Sequence, residues 1–223
     1  MSRWLITILF LLGSAFLTRL IPFSSFFRSL DTMIHEFGHA LMTLLLSGRV
    51  LNMELYADHS GVTYSTMNHS WHVIPIALAG YMTASLFAML LFYLHYKKNQ
   101  KLGLTLVTFI ALFTLLLFVR QGFGVIWLIG FIALNLIVLL LSGNVQKYYY
   151  LFLAFLTLEE SVVGPAYLVL YAVTKPGSAG DATNLSDFTL LPALVWAIFF
   201  VLFALWCASH ALRFFFKQNT KKA

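Results

Sequence analysis

"DTMIHEFGHALMTLLLSGRV", residues 31–50, sets two histidines and two carboxylates inside a strongly apolar chain. His35 and His39 stand four residues apart, so an α-helix through this stretch carries both imidazoles on one face, one turn apart, with Glu36 close beside them. That geometry suits zinc. Two neutral imidazoles supply ligands at about 2.0–2.1 Å, a third protein group completes the set, and the remaining position holds a water whose pKa falls to about 7. Glu36 is then the general base that takes the proton of that water and passes it to a leaving amine. A chain of this composition should contain far fewer than one H-E-x-x-H match by chance, and ionisable groups at membrane depth are expensive. The cluster is therefore expected to be a metal site, against the alternative that the two histidines only hydrogen-bond neighbouring helices.

The surroundings of the motif define the class of protein. Of 223 residues, 61% are apolar and 10% charged, and the mean hydropathy is +0.87. Ordinary soluble domains carry about 45–50% apolar and about 25% charged residues. The chain reads as a single integral membrane domain, multi-pass in a cell membrane. A net charge of +6 and a pI near 9.5 would suggest nucleic acid in a soluble protein. Here the basic residues fall singly or in small groups between apolar runs, as membrane-flanking anchors do, so no nucleic-acid partner is expected. The one cysteine, Cys207, excludes both a disulfide framework and a zinc–thiolate cluster.

Outward from the motif, the segments fall at 1–28 (an N-terminal helix, preferred to a cleaved signal peptide), 31–47 (the HExxH helix, short for a full crossing) and 49–66. The last of these alternates in character, with Asp58, Ser60 and Gly61 as turn residues, and predicts a β-hairpin. Further hydrophobic segments follow at 73–95, 102–119, 123–141, 148–173 and 188–216. The fold expected is an all-α polytopic membrane protein of six to seven hydrophobic segments, with a short β-hairpin behind the HExxH helix.

The third ligand has to return from a distant element. Asp181, in the glycine-flanked polar stretch "TKPGSAGDATNLSD" (174–187), fits best, because Gly177 and Gly180 let backbone approach a buried site. Asp187 reads instead as the N-cap of a helix starting at Phe188, while Glu159, Glu160 and the loop histidines remain alternatives. Topology constrains the choice. If all seven segments cross, Asp31 and the loop of Asp181 lie on opposite sides of the membrane. Either one segment then fails to cross or Asp181 is not the ligand, and 148–173, interrupted by Glu159, Glu160 and Gly164-Pro165, is expected to be bent or re-entrant.

The stretches "HEFGHALMTLLLSGRV", "DHSGVTY", "GYMTASLFAMLL" and "GDATNLSDFTLLPALVWAIFF" resemble, in that order, the small bacterial zinc peptidase-like membrane proteins related to site-2 proteases. The resemblance covers about Asp31 to Phe203. It implies a zinc metalloprotease that cleaves membrane-embedded proteins, with His35, His39 and a late aspartate as ligands and Glu36 as base. The late aspartate falls on Asp181, with Gly180 where the family pattern has serine. Leu-Asp-Gly, the Asn-to-Pro signature before it and a PDZ insertion are absent. Cleaving a transmembrane helix requires it to be held extended, and the hairpin at 50–65 could offer a strand edge for that, or could simply tie two helices together. Two other function classes fit fewer of these residues: a non-catalytic protease-like scaffold, against which the intact Glu36 counts, and a proton- or metal-coupled transporter.

Overall fold

The structure is a computed structural model that describes residues 24–220; the N-terminal helix expected over 1–28 lies outside them but for its last residues. Helix α1, Ser24–Leu45, is amphipathic. Leu30, Met33 and Ile34 repeat at helical spacing along its buried stripe. Its end is a Schellman turn, in which Ser47 takes φ 58°, its N–H bonds to the Leu44 carbonyl, and Gly48 N–H bonds to the Thr43 carbonyl. The chain therefore turns back over the helix into an antiparallel hairpin of β1 (Arg49–Leu55) and β2 (Gly61–Thr66), with Met53 opposite Thr63. Met53 and Leu55 are buried beneath it.

A single-turn 3-10 segment, Ser70–His72, leads into α2 (Val73–Tyr96); α3 (Gln100–Leu117), α4 (Phe123–Leu140) and α5 (Gly143–Thr174) follow. A second 3-10 turn at Pro176–Ser178 precedes the short α6 (Gly180–Phe188), and α7 (Ala193–Thr220) ends the described chain. The two strands form a two-stranded sheet among otherwise helical elements. Helix α2 is the spine, packing against α1, α5, α6 and α7. The larger apolar core gathers Phe92, Trp127, Phe131 and Tyr150, and the Trp127 indole donates to the Phe26 carbonyl at 2.6 Å, fixing α4 on α1. A smaller core of Ala77, Leu168, Ala182, Leu185 and Phe200 seats α6.

Two of three expectations are corrected. First, segment 148–173, expected to be bent or re-entrant, does not re-enter: it is one continuous helix, α5, with Pro165 inside it. Proline removes one backbone bond there, but Leu158, Pro165 and Leu168 are buried, and that packing carries the helix through. Second, the six to seven hydrophobic segments are roughly matched: five helices among the described residues are long and apolar enough to cross a membrane, and α1, expected to be short for a full crossing, is not one of them. Four of the five, α2 to α5, lie between α1 and α6. An even number returns the chain to the end of the bundle it left, so no re-entrant loop is needed. Third, the final helix begins at Ala193, after Pro192, not at Phe188. Asp187 is thus no N-cap for it, being the penultimate residue of α6.

Candidate metal centre

His35 and His39 lie on the face of α1 turned toward α2, and α6 brings Asp181 to them across α2. The His35 and His39 Nε2 atoms are 2.9 Å apart, and Asp181 Oδ2 is 3.2 Å from each. Asp181, expected in a loop, sits in the first turn of α6. Ala179, Ala182 and Leu185 bury the opposite face of that turn. Thr183 ties its entry, donating to the Pro176 carbonyl at 2.7 Å and accepting from Ala179 N–H at 2.9 Å. Gly180 is required for its left-handed φ of 50°, whereas Gly177 has open space around it and makes no close approach.

The three atoms fit a cation better than they fit one another. His39 Nδ1 donates to the Ile76 carbonyl at 2.7 Å, which in the neutral ring leaves a bare lone pair on Nε2. Asp181 Oδ2 is buried and accepts no well-formed hydrogen bond, although both imidazoles stand at ion-pair distance. Ligands at about 2.0–2.1 Å from a tetrahedral zinc stand roughly 3.3 Å apart, close to the separations found here. Three acceptors so arranged could hold one metal ion. Burial opposes charge on both His39 and Asp181, yet their mutual attraction wins. It pushes His39 up to about 9 and holds Asp181 well below the usual carboxylate range. The field that favours a proton at this point favours a cation equally.

Of the alternative ligands, Glu160 and His59 are engaged elsewhere. Glu160 makes a two-pronged pair with Arg28, at 2.5 and 3.3 Å. His59 is held between Ser25 and Ser29, His95 meets Gln100, and His210 meets the Trp206 carbonyl. Neither Glu159 nor Asp187 belongs to the group of three.

A cavity of about 400 Å³ opens over the cluster, between α1, β2, α2 and α6. Glu36, 4% exposed, borders it from beneath β2, and Thr63 Oγ1 donates to Glu36 Oε2 at 2.6 Å. Tyr81 packs edge-on against His35 at 4.3 Å, and Asn184, one turn beyond Asp181, borders the same space. The main chain of β2 is also poised. Met53 N–H points away from β2 and bonds to the Phe118 carbonyl at 3.0 Å, so β1's outer edge is engaged. In an antiparallel ladder the residue opposite shares that outward orientation, so Thr63, and Gly61 opposite Leu55, turn their N–H and C=O toward the cavity-side edge of β2.

Sequence reasoning missed Thr63, Ile76, Gly80 and Asn184. Gly80, an ordinary small residue in an apolar helix, is where the imidazoles touch α2. A Cβ there would lie 2.6 Å from His39 Nε2 and from the Cε1 atom of each ring. Gly80→Ala is expected to lose most bound metal while destabilising the fold by about 1–3 kcal/mol. Metal analysis alongside thermal unfolding checks this, and full metal content in a folded Gly80→Ala protein would show that the helix approach is not needed.

The family model described as Peptidase M50B-like matches residues 4–211. No curated protein and no solved structure matches the chain.

Proposed function

The chain belongs to the Peptidase M50B-like family, the site-2 protease family, and is a membrane-embedded protein; from that premise we propose that it is a zinc-dependent intramembrane endopeptidase. It acts on membrane-embedded protein or peptide substrates, and as a multi-pass protein of a cell membrane it meets them in the bilayer. The observation that carries the reading is the convergence of His35 Nε2, His39 Nε2 and Asp181 Oδ2 within hydrogen-bonding range of one another, beside Glu36 and under a cavity.

His35, His39 and Asp181 would hold the ion. Zinc, when bound, supplies a Lewis acid that lowers the pKa of a water and polarises the scissile carbonyl. The remaining chemistry belongs to side chains of this protein. Glu36 accepts the proton of the attacking water and delivers it to the nitrogen of the leaving amine. The Ile76 carbonyl keeps the proton of His39 on Nδ1, so that Nε2 stays a donor of electrons. Tyr81, Ile76 and Ala77 of α2 line the cavity beside the site with apolar surface.

A transmembrane helix hides its peptide bonds, so the substrate has to be extended before attack. The outer edge of β2, which pairs with no further strand among the described residues, can pair with it, since Gly61 and Thr63 face the cavity with donors and acceptors at the two-residue spacing of a strand. The test uses single-span transmembrane peptides reconstituted with the protein in lipid vesicles, cleavage being read by mass spectrometry. Cleavage by wild type that stops on chelation and returns with zinc is expected; no cleavage of any peptide at full zinc loading would overturn the proteolytic reading. N-methylation of the cleaved peptide, one amide at a time, is expected to slow cleavage at alternate positions near the scissile bond. Each lost hydrogen bond of about 1 kcal/mol corresponds to about 5-fold. A uniform effect with no alternation would remove strand pairing from the account.

A further inference from the structure

We propose that Thr63 is a positioning residue for Glu36, so that the hairpin serves the reaction through a side chain as well as through its edge; this rests on Glu36 acting as the base. A carboxylate that must meet a water and then an amine nitrogen has to be held in one rotamer, because misplacement by about 1 Å can reduce a rate by about 100-fold. Glu36 makes no hydrogen bond from its side chain to α1, α2 or α6 among those seen for the described residues. It is β2 that holds it. Thr63 Oγ1 stands 2.6 Å from Oε2 and 3.2 Å from the Glu36 carbonyl, close enough to donate to either. At Gly61 the strand presses on the same side chain, where a Cβ would lie 2.8 Å from Glu36 Cγ and 2.9 Å from Oε1. The bare backbone at Gly61 therefore makes the space, and the Thr63 hydroxyl fixes the orientation within it.

The hairpin itself is fastened to α1 around this point. His59, in the turn, lies 3.3 Å from Ser25 Oγ and 3.2 Å from Ser29 Oγ, and its carbonyl accepts from Thr32 at 2.7 Å. Thr43 meets Ser65 at 3.1 Å at the other end. With both ends tied down, the loss of the Thr63 hydroxyl removes one bond to Glu36 without freeing the strand. Thr63, like Gly61, also turns its main chain to the outer edge of β2, so one position borders both that edge and the base.

The experiment compares Thr63→Val, which keeps the shape and removes the donor, with Thr63→Ser, which restores it. In the vesicle assay, on the peptide cleaved fastest by wild type, Thr63→Val is expected to lower kcat about 10- to 100-fold at unchanged KM, zinc content and melting temperature, and Thr63→Ser to recover most of the rate. In a Glu36→Gln background, Thr63→Val should cause no further loss. Infrared difference spectroscopy gives a readout independent of turnover. The carboxylate stretching band that Glu36→Gln removes should move in Thr63→Val and return in Thr63→Ser. Wild-type kcat in Thr63→Val, or an unmoved band, overturns the proposal while leaving Glu36 as the base. Full activity in Glu36→Gln overturns the base assignment itself. A fall in melting temperature shared by Thr63→Val and Thr63→Ser, with no recovery of rate by serine, shows a structural role only and also overturns it.

Discussion

Replacing Glu36 by glutamine is expected to abolish peptide hydrolysis, with a loss of about 10²- to 10⁴-fold, while fold and zinc content stay as in wild type. The amide has the shape of the carboxylate, and its oxygen can still accept from the Thr63 hydroxyl, so the packing under β2 survives. Glu36 is not one of the three converging ligand atoms, so the metal set is untouched. What disappears is the ability to take a proton from the attacking water and hand it on. Turnover of a vesicle-bound peptide and zinc per chain are measured on the same preparation. Undiminished turnover in Glu36→Gln would move the chemistry to another residue.

Removing the carboxylate of Asp181 is expected to have a comparably large effect, on binding. Wild type should hold about one zinc per chain, and Asp181→Ala should weaken zinc by more than about 100-fold, because loss of a direct ligand exceeds the 10- to 100-fold cost of losing a residue behind one. Only the two imidazole nitrogens, 2.9 Å apart, would then remain to hold the ion. Asp187→Ala is the matched control. Asp187 lies at the opposite end of α6 and caps nothing at the start of α7, so its replacement should leave zinc affinity unchanged. Competition titration with a chelating dye measures both variants. Wild-type affinity in Asp181→Ala, or equal loss in both, would refute the assignment of the third ligand, and wild-type zinc in a His35→Ala, His39→Ala double variant would refute the site as a whole.

The sequence by itself determined what is local. His35, Glu36 and His39 lie within five residues, and the 3.6-residue period of a helix fixes their relation wherever the helix packs. The hairpin was legible for the same reason, since alternation along Val50–Leu55, turn residues and a β-branched return are neighbours in the chain. Apolar composition declared the membrane before any contact was known. Tertiary structure decided everything that depends on distance along the chain. Asp181 reaches the histidines only because α2 to α5 return the chain to α1 and because Ala182 and Leu185 seat α6 beside α2. No spacing rule encodes that return, and apolar runs alone do not say which of them cross, since α1 is amphipathic and not among the five helices long and apolar enough to span. Pro165 read as a break because local preference favours one, but burial on α5 outweighs the loss of a single backbone bond. Gly80 and Thr63 carried no readable signal. A glycine in an apolar helix and a threonine in a strand are ordinary, and they become specific only when another element's imidazoles or carboxylate is packed against them.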